Sequence, residues 1–171
     1  MFKDISNFTH TQDYLPIFSS VLITDLVVIL LLNMNIIQSR VLRDWYTTYN
    51  LSAVIADVLI IFIGIIIARY LYSRIFKSYT LLKFIGLAVT IQIIHDLLFY
   101  VFFKNVPRGV NRMLDTFKDY AKEVSYKAVL SDSGMMILAS LLSAYLVGKN
   151  LNTNIIVMIV AVYLTPYILY N

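Results

Sequence analysis

Five apolar stretches dominate the sequence, and their lengths leave few folds open to it. A helix needs roughly 20 apolar residues to cross a hydrocarbon core of about 30 Å. Residues 14–36 meet that length, interrupted by Asp25 and Asn33. Residues 51–72 do so with Asp57 inside them. Residues 81–103 follow, with Lys83 near the start and Gln92, His95 and Asp96 in the middle. The stretch 131–148 is short, because its apolar part runs only from Gly134 to Gly148. It spans only with Ser131–Ser133 among the headgroups. The last, 154–170, contains Pro166.

Strands do not fit these runs. A membrane barrel alternates apolar and polar positions, whereas Val58–Ala68 and Ile155–Val162 are apolar on every side. That pattern belongs to helices in lipid, whose backbones satisfy their own hydrogen bonds. The composition agrees: 60% hydrophobic and 14% charged, against about 45–50% and 25% for a soluble domain. The expected fold is therefore all-α, a polytopic transmembrane helix bundle forming one membrane domain. The absence of cysteine excludes disulfides, thiolate metal sites and cysteine nucleophiles.

The polar start, residues 1–13, lacks the basic opening and small-residue cleavage site of a signal peptide, so the first helix is expected to remain uncleaved. Aromatic residues mark the interfaces: Trp45, Tyr46 and Tyr49 before the second run, Tyr70, Tyr72 and Tyr79 after it. Residues 104–130 form the one long polar segment. Val106-Pro107-Arg108-Gly109 signals a turn. Beyond it, Met113, Leu114, Phe117, Tyr120, Ala121, Val124 and Ala128 recur with helical period. Arg112, Asp115, Lys118, Asp119, Lys122 and Glu123 lie opposite. An amphipathic surface helix is expected, capped by Asn111 or a neighbour, with a Glu123–Lys127 pair and a break at Ser131–Gly134. It is net basic, with Arg108, Arg112, Lys118 and Lys122 available to anionic lipid or a partner protein, the alternative being an ordinary loop helix packed on its own bundle.

Lys and Arg divide six to eight between the two sides of a five-span chain. That split leaves the orientation undecided, with a lean towards a cytoplasmic 104–130 segment.

Acids inside spans are costly, about 2.5–3.5 kcal/mol at the helix centre on insertion scales. Asp25, Asp57, Gln92, His95 and Asp96 are therefore candidates for a proton or cation path. The competing reading is structural. Asp57 lies six residues from Leu51, near the headgroups, and Gln92 and Asp96 share a face on which they can bond to each other. His95 and Asp96, adjacent in a helix, are expected not to face each other. Two histidines in all make neither a haem pair nor a metal site. Small residues form stripes for close helix packing: Ser52, Ala56, Gly64 and Ala68 on the second run, Ser140, Ala144 and Gly148 on the fourth. No G-x-S-x-G, H-E-x-x-H, P-loop or G-x-G-x-x-G occurs, so neither an enzyme nor a cofactor is expected.

One further signal lies in particular strings. These are Leu42–Tyr46, Leu51–Ile61, Ile91–Leu97, Val106–Gly109, Asn111–Glu123 and Asn152–Ile156. Over roughly residues 40–170 the chain resembles an uncharacterised polytopic membrane protein of nucleocytoplasmic large DNA viruses (giant viruses, chlorovirus- or mimivirus-like). The resemblance implies a structural protein of the virion internal membrane, lying beneath the capsid and linked to capsid or minor capsid proteins. Its implied partners are the lipid bilayer, those proteins and further copies of itself, with no nucleic acid. The alternative from the residues alone is a small ion channel or proton-coupled transporter that uses the intramembrane Asp residues.

Overall fold

A computed structural model describes residues 2–124 and 126–171. A 3-10 turn at Thr11–Asp13 leads into α1 (Tyr14–Asn33). Then come α2 (Arg40–Tyr49), α3 (Leu51–Ile75), α4 (Leu81–Asn105), α5 (Arg112–Val124), α6 (Tyr126–Leu146) and α7 (Leu151–Leu169). No strand occurs among the described residues. The five helices α1, α3, α4, α6 and α7 are long and apolar enough to cross a membrane, compatible with a multi-pass membrane protein.

The most buried of them, α1, packs on α3, α6 and α7. The ring is closed by α3 against α4 and α4 against α6, while α7 rests on α1 at the outside. Central placement accounts for the polar residues of α1. Ser19, Ser20, Thr24 and Asp25 are wholly buried. The hydroxyls of Ser19, Ser20 and Thr24 donate to the carbonyls of Leu15, Pro16 and Ser20 one turn back, so they cost little in an apolar setting.

Short connections at 76–80 and 147–150 make α3–α4 and α6–α7 antiparallel, α2 and α5 occupy the two longer connections, and cross-contacts set the register. Asn33 Nδ2 donates to the Ile168 carbonyl at 2.8 Å, joining the C-terminal ends of α1 and α7. At the other end Lys3 N donates to the Ala144 carbonyl at 2.8 Å, and Ile5 is fully buried. Residues 3–13 thus fold back as a cap. Arg69, wholly buried, donates to the Asn7 and His10 carbonyls and to Asp13 Oδ2 at 2.9 Å. Its guanidinium lies 5.0 Å from the Tyr14 ring centroid. In the sequence Arg69 reads as a flanking positive charge; in the fold it anchors the cap.

Several boundaries move. The fourth span is not short: α6 begins at Tyr126 and runs unbroken through Ser131–Gly134. Within the amphipathic segment, α5 covers Arg112–Val124. Its start is as expected, with Asn111 Oδ1 accepting from Leu114 N at 3.1 Å. No Glu123–Lys127 ion pair occurs among the described residues; the Glu123 carboxylate accepts from Arg40 N and Val41 N instead. The small-residue stripes hold in part. Gly64, Ala68, Ser140 and Ala144 are buried, Ala56 is half-buried, and Ser52 and Gly148 are exposed at the helix ends. A Cβ on Gly64 would stand 2.9 Å from Met136 Cε and 3.7 Å from Gln92 Oε1, so this glycine sets the approach of α3 to α4 and α6.

A second surface helix, α2, lies where the sequence suggests only interface aromatics. Its signal is nonetheless present: Leu42, Trp45, Tyr46 and Tyr49 recur at helical spacing behind Ser39. Ser39 Oγ accepts from Leu42 N at 3.1 Å as its N-cap. Arg43 at the same time closes α1, donating to the Leu32 carbonyl at 2.8 Å.

Candidate functional site: an acidic aromatic cavity under two surface helices

Helices α2 and α5 lie at the same end of the bundle and pack against each other. Their link is specific. The Glu123 carboxylate of α5 accepts from Arg40 N and Val41 N of α2, both at 3.0 Å. A carboxylate thereby caps the N-terminus of a neighbouring helix, where its charge complements the helix dipole. Tyr49 and Thr116 exchange a hydroxyl hydrogen bond at 3.0 Å, and the Trp45 and Phe117 rings lie 4.8 Å apart. The two helices make one roof.

Beneath it lies a cavity of about 640 Å³ between α2, α3, α4, α5 and α6. Asp57 of α3, Gln92, His95 and Asp96 of α4 and Asp132 of α6 all line it. Asp132 was not singled out in the sequence, because the misplaced break put it in a headgroup segment. Asp25 is not on the cavity wall. It is wholly buried behind it, joined through Tyr46, whose hydroxyl donates to Asp25 Oδ1 at 2.8 Å. Trp45 Nε1 donates to Asp57 Oδ2 at 2.9 Å, so roof helix α2 is pinned to the carboxylates below by two adjacent aromatic side chains.

Across the cavity, Gln92 Nε2 donates to Asp96 Oδ1 at 2.7 Å, the pairing expected from their shared face. The expectation for His95 fails. Its Nδ1 lies 3.2 Å from the same Asp96 oxygen. Adjacent helical positions diverge at Cβ, but here the carboxylate and the ring reach the same side. Asp96 Oδ2 stays buried without a partner among the described residues. His95 stacks on Phe99 at 5.7 Å, and Phe99 meets Phe117 edge-on at 5.1 Å.

The convergence of acids is felt by the roof tyrosines. Burial pushes the Tyr120 hydroxyl up, and the carboxylates of Asp132, Asp57, Glu123 and Asp96 push it further. Tyr46 is raised by burial, then by Asp57 and Asp25. Both phenols stay neutral, and the Tyr46 hydroxyl serves as a hydrogen-bond donor. Among the described residues, no Lys or Arg lines the cavity, and no group of three His, Cys, Asp or Glu could hold a metal ion.

The other surface residues singled out are more committed than expected. Arg108 pairs with Asp119 at 2.5 Å. Lys118 turns inward to the Val106 carbonyl and Asp115. Arg112 and Lys122 remain exposed. No protein-family model, curated protein or solved structure matches the chain.

Proposed function

We propose that the chain is a small proton-coupled carrier that moves a cation through the acidic cavity. The observation that supports this most directly is the meeting of Asp57, Asp96 and Asp132, from three different spans, on one cavity whose described lining holds no Lys or Arg and only His95 as a basic group. Intramembrane acids facing a shared cavity are the usual material of proton and ion paths. Such a site is electrically incomplete until a proton or a cation enters it. Gln92 and His95 hold Asp96 in place, and the α2–α5 roof covers the cavity at one end of the bundle. The test is proton flux, read with an internal pH dye, in liposomes containing the purified chain under an imposed potential, with inorganic and organic cations supplied in turn outside as the solute carried in with the proton. Wild type should acidify the lumen faster than Asp57→Asn/Asp96→Asn/Asp132→Asn. Equal rates in wild type, the triple variant and empty liposomes would refute the carrier.

A second reading follows from the resemblance to giant-virus membrane proteins: a structural protein of the virion internal membrane that ties it to the capsid. What favours it is the placing of both surface helices at one end, with Arg40, Asp44, Arg112 and Lys122 exposed. It predicts that crosslinks from Lys122 in intact particles reach a capsid protein. Particles lacking the chain altogether would eliminate it.

A further inference from the structure

We infer that the cavity takes a lipophilic organic cation, an ammonium or phosphonium carried on apolar groups, and that its arrival at Asp57 displaces the Trp45 N–H. This rests on the cavity being the working site and adds the class of solute. Three independent features narrow that class.

The first is size. A space of about 640 Å³ falls within the roughly 300–1,000 Å³ of small-molecule sites. It far exceeds what a bare metal ion needs, and the described residues offer no metal-holding cluster.

The second is the wall. Trp45, Phe99 and Phe117 form a continuous aromatic surface, with Phe117 4.8 Å from Trp45 and 5.1 Å from Phe99. Aromatic faces attract organic cations, and more strongly where water is excluded. Leu97, Ile60 and Met135 supply apolar lining for the substituents.

The third is the acceptor. Asp96 offers a buried Oδ2 with no partner among the described residues, while its Oδ1 is occupied by Gln92 and His95. An oxygen held in place yet unsatisfied is poised for an incoming positive group. Asp57 is different, since its Oδ2 already accepts from Trp45. A cation settling between the acids weakens that bond, and with it one of the two pins of the α2 roof.

Trp45 is the sole tryptophan, so its emission reads the site directly. The experiment titrates the full chain in lipid nanodiscs with tetraphenylphosphonium. Triphenylphosphine oxide is the neutral control, and K⁺ and Ca²⁺ are the inorganic cations. The expected result is a saturable change in Trp45 emission with tetraphenylphosphonium alone. Affinity should fall about tenfold in Asp96→Asn, as expected when one carboxylate charge within roughly 10 Å of the cation is removed from a partly buried site. Asp57→Asn alters the reporter itself, so its binding is read by equilibrium dialysis. If Asp96→Asn fails to fold, Asp132→Asn takes its place, and the neutral control decides on the wild-type chain. The inference is overturned by the absence of a saturable signal, by equal response to the oxide, by displacement with K⁺ or Ca²⁺ at similar concentration, or by unchanged affinity in folded variants. Proton flux without tetraphenylphosphonium binding overturns this inference and leaves the carrier standing. Binding without flux does the reverse.

Discussion

Replacing Asp13 by Asn should destabilise the protein more than most single substitutions, although it removes only a charge. Arg69 is fully buried and the Asp13 side chain is 5% exposed, with 2.9 Å between Nη2 and Oδ2. Removing one member of a buried ion pair costs about 3–5 kcal/mol, because the other is left charged and unpaired. Here the Asn7 and His10 carbonyls still accept from Arg69, which places the loss near the lower end, about 3 kcal/mol. Arg69 Nε and Nη1 are already without partners among the described residues, so little further compensation is at hand. For a chain of this size about 1 kcal/mol moves the melting temperature by roughly 2–4 °C, giving a drop of about 6–12 °C. The assay is thermal unfolding in one detergent, with hydrogen exchange of residues 3–12 to show the cap opening. Arg69→Met with Asp13→Asn should recover much of the loss, since neither charge then remains buried. A melting temperature within 2 °C of wild type for Asp13→Asn would refute the reasoning, as would a double variant that loses the sum of the singles.

Three more expectations test other joints of the fold. Glu123→Ala removes both acceptors from the start of α2 and should cost about 0.5–2 kcal/mol, visible as faster hydrogen exchange at Arg40 and Val41 with α7 unchanged. Gly64→Ala should stay within about 1 kcal/mol of wild type, because better helix propensity offsets a 2.9 Å contact with the movable Met136 Cε; Gly64→Leu should lose about 1–3 kcal/mol by overpacking, read as a lower melting temperature. The Arg108–Asp119 turn should loosen in acid. Arg108 holds Asp119, and the Gly109 N–H holds Asp115, below the usual carboxylate range. The stability they supply is therefore complete above about pH 3.9 and lost as pH falls through the lowered values, which protease nicking at 106–111 as a function of pH would measure.

The helical membrane class was legible before any coordinates, because runs such as Val58–Ala68 carry the signal in every residue. Boundaries were less so where polar residues sit inside a span. Ser131–Gly134 looks like a linker, yet hydroxyls can satisfy themselves on the helix, as Ser133 Oγ does on the Val129 carbonyl. Helix α2 was masked by its own aromatics, which serve an interface and a helix face equally well. The Gln92–Asp96 bond was readable from spacing alone; the His95–Asp96 contact was not, since it depends on rotamers.

Local chemistry along the chain determined that Asp25, Asp57 and Asp96 would be costly and in need of partners, because the expense of an acid in hydrocarbon follows from its neighbours in sequence. Only the tertiary structure decided who those partners are. Trp45 and Tyr46 reach the acids because α2 folds over the end of the bundle, and Asp132 joins them because α6 is helical through Ser131–Gly134 and packs against α4. Arg69 meets Asp13 because α1 and α3 run antiparallel. Which polar groups share one space depends on helix register and rotation across the bundle, set by packing between residues far apart in the chain.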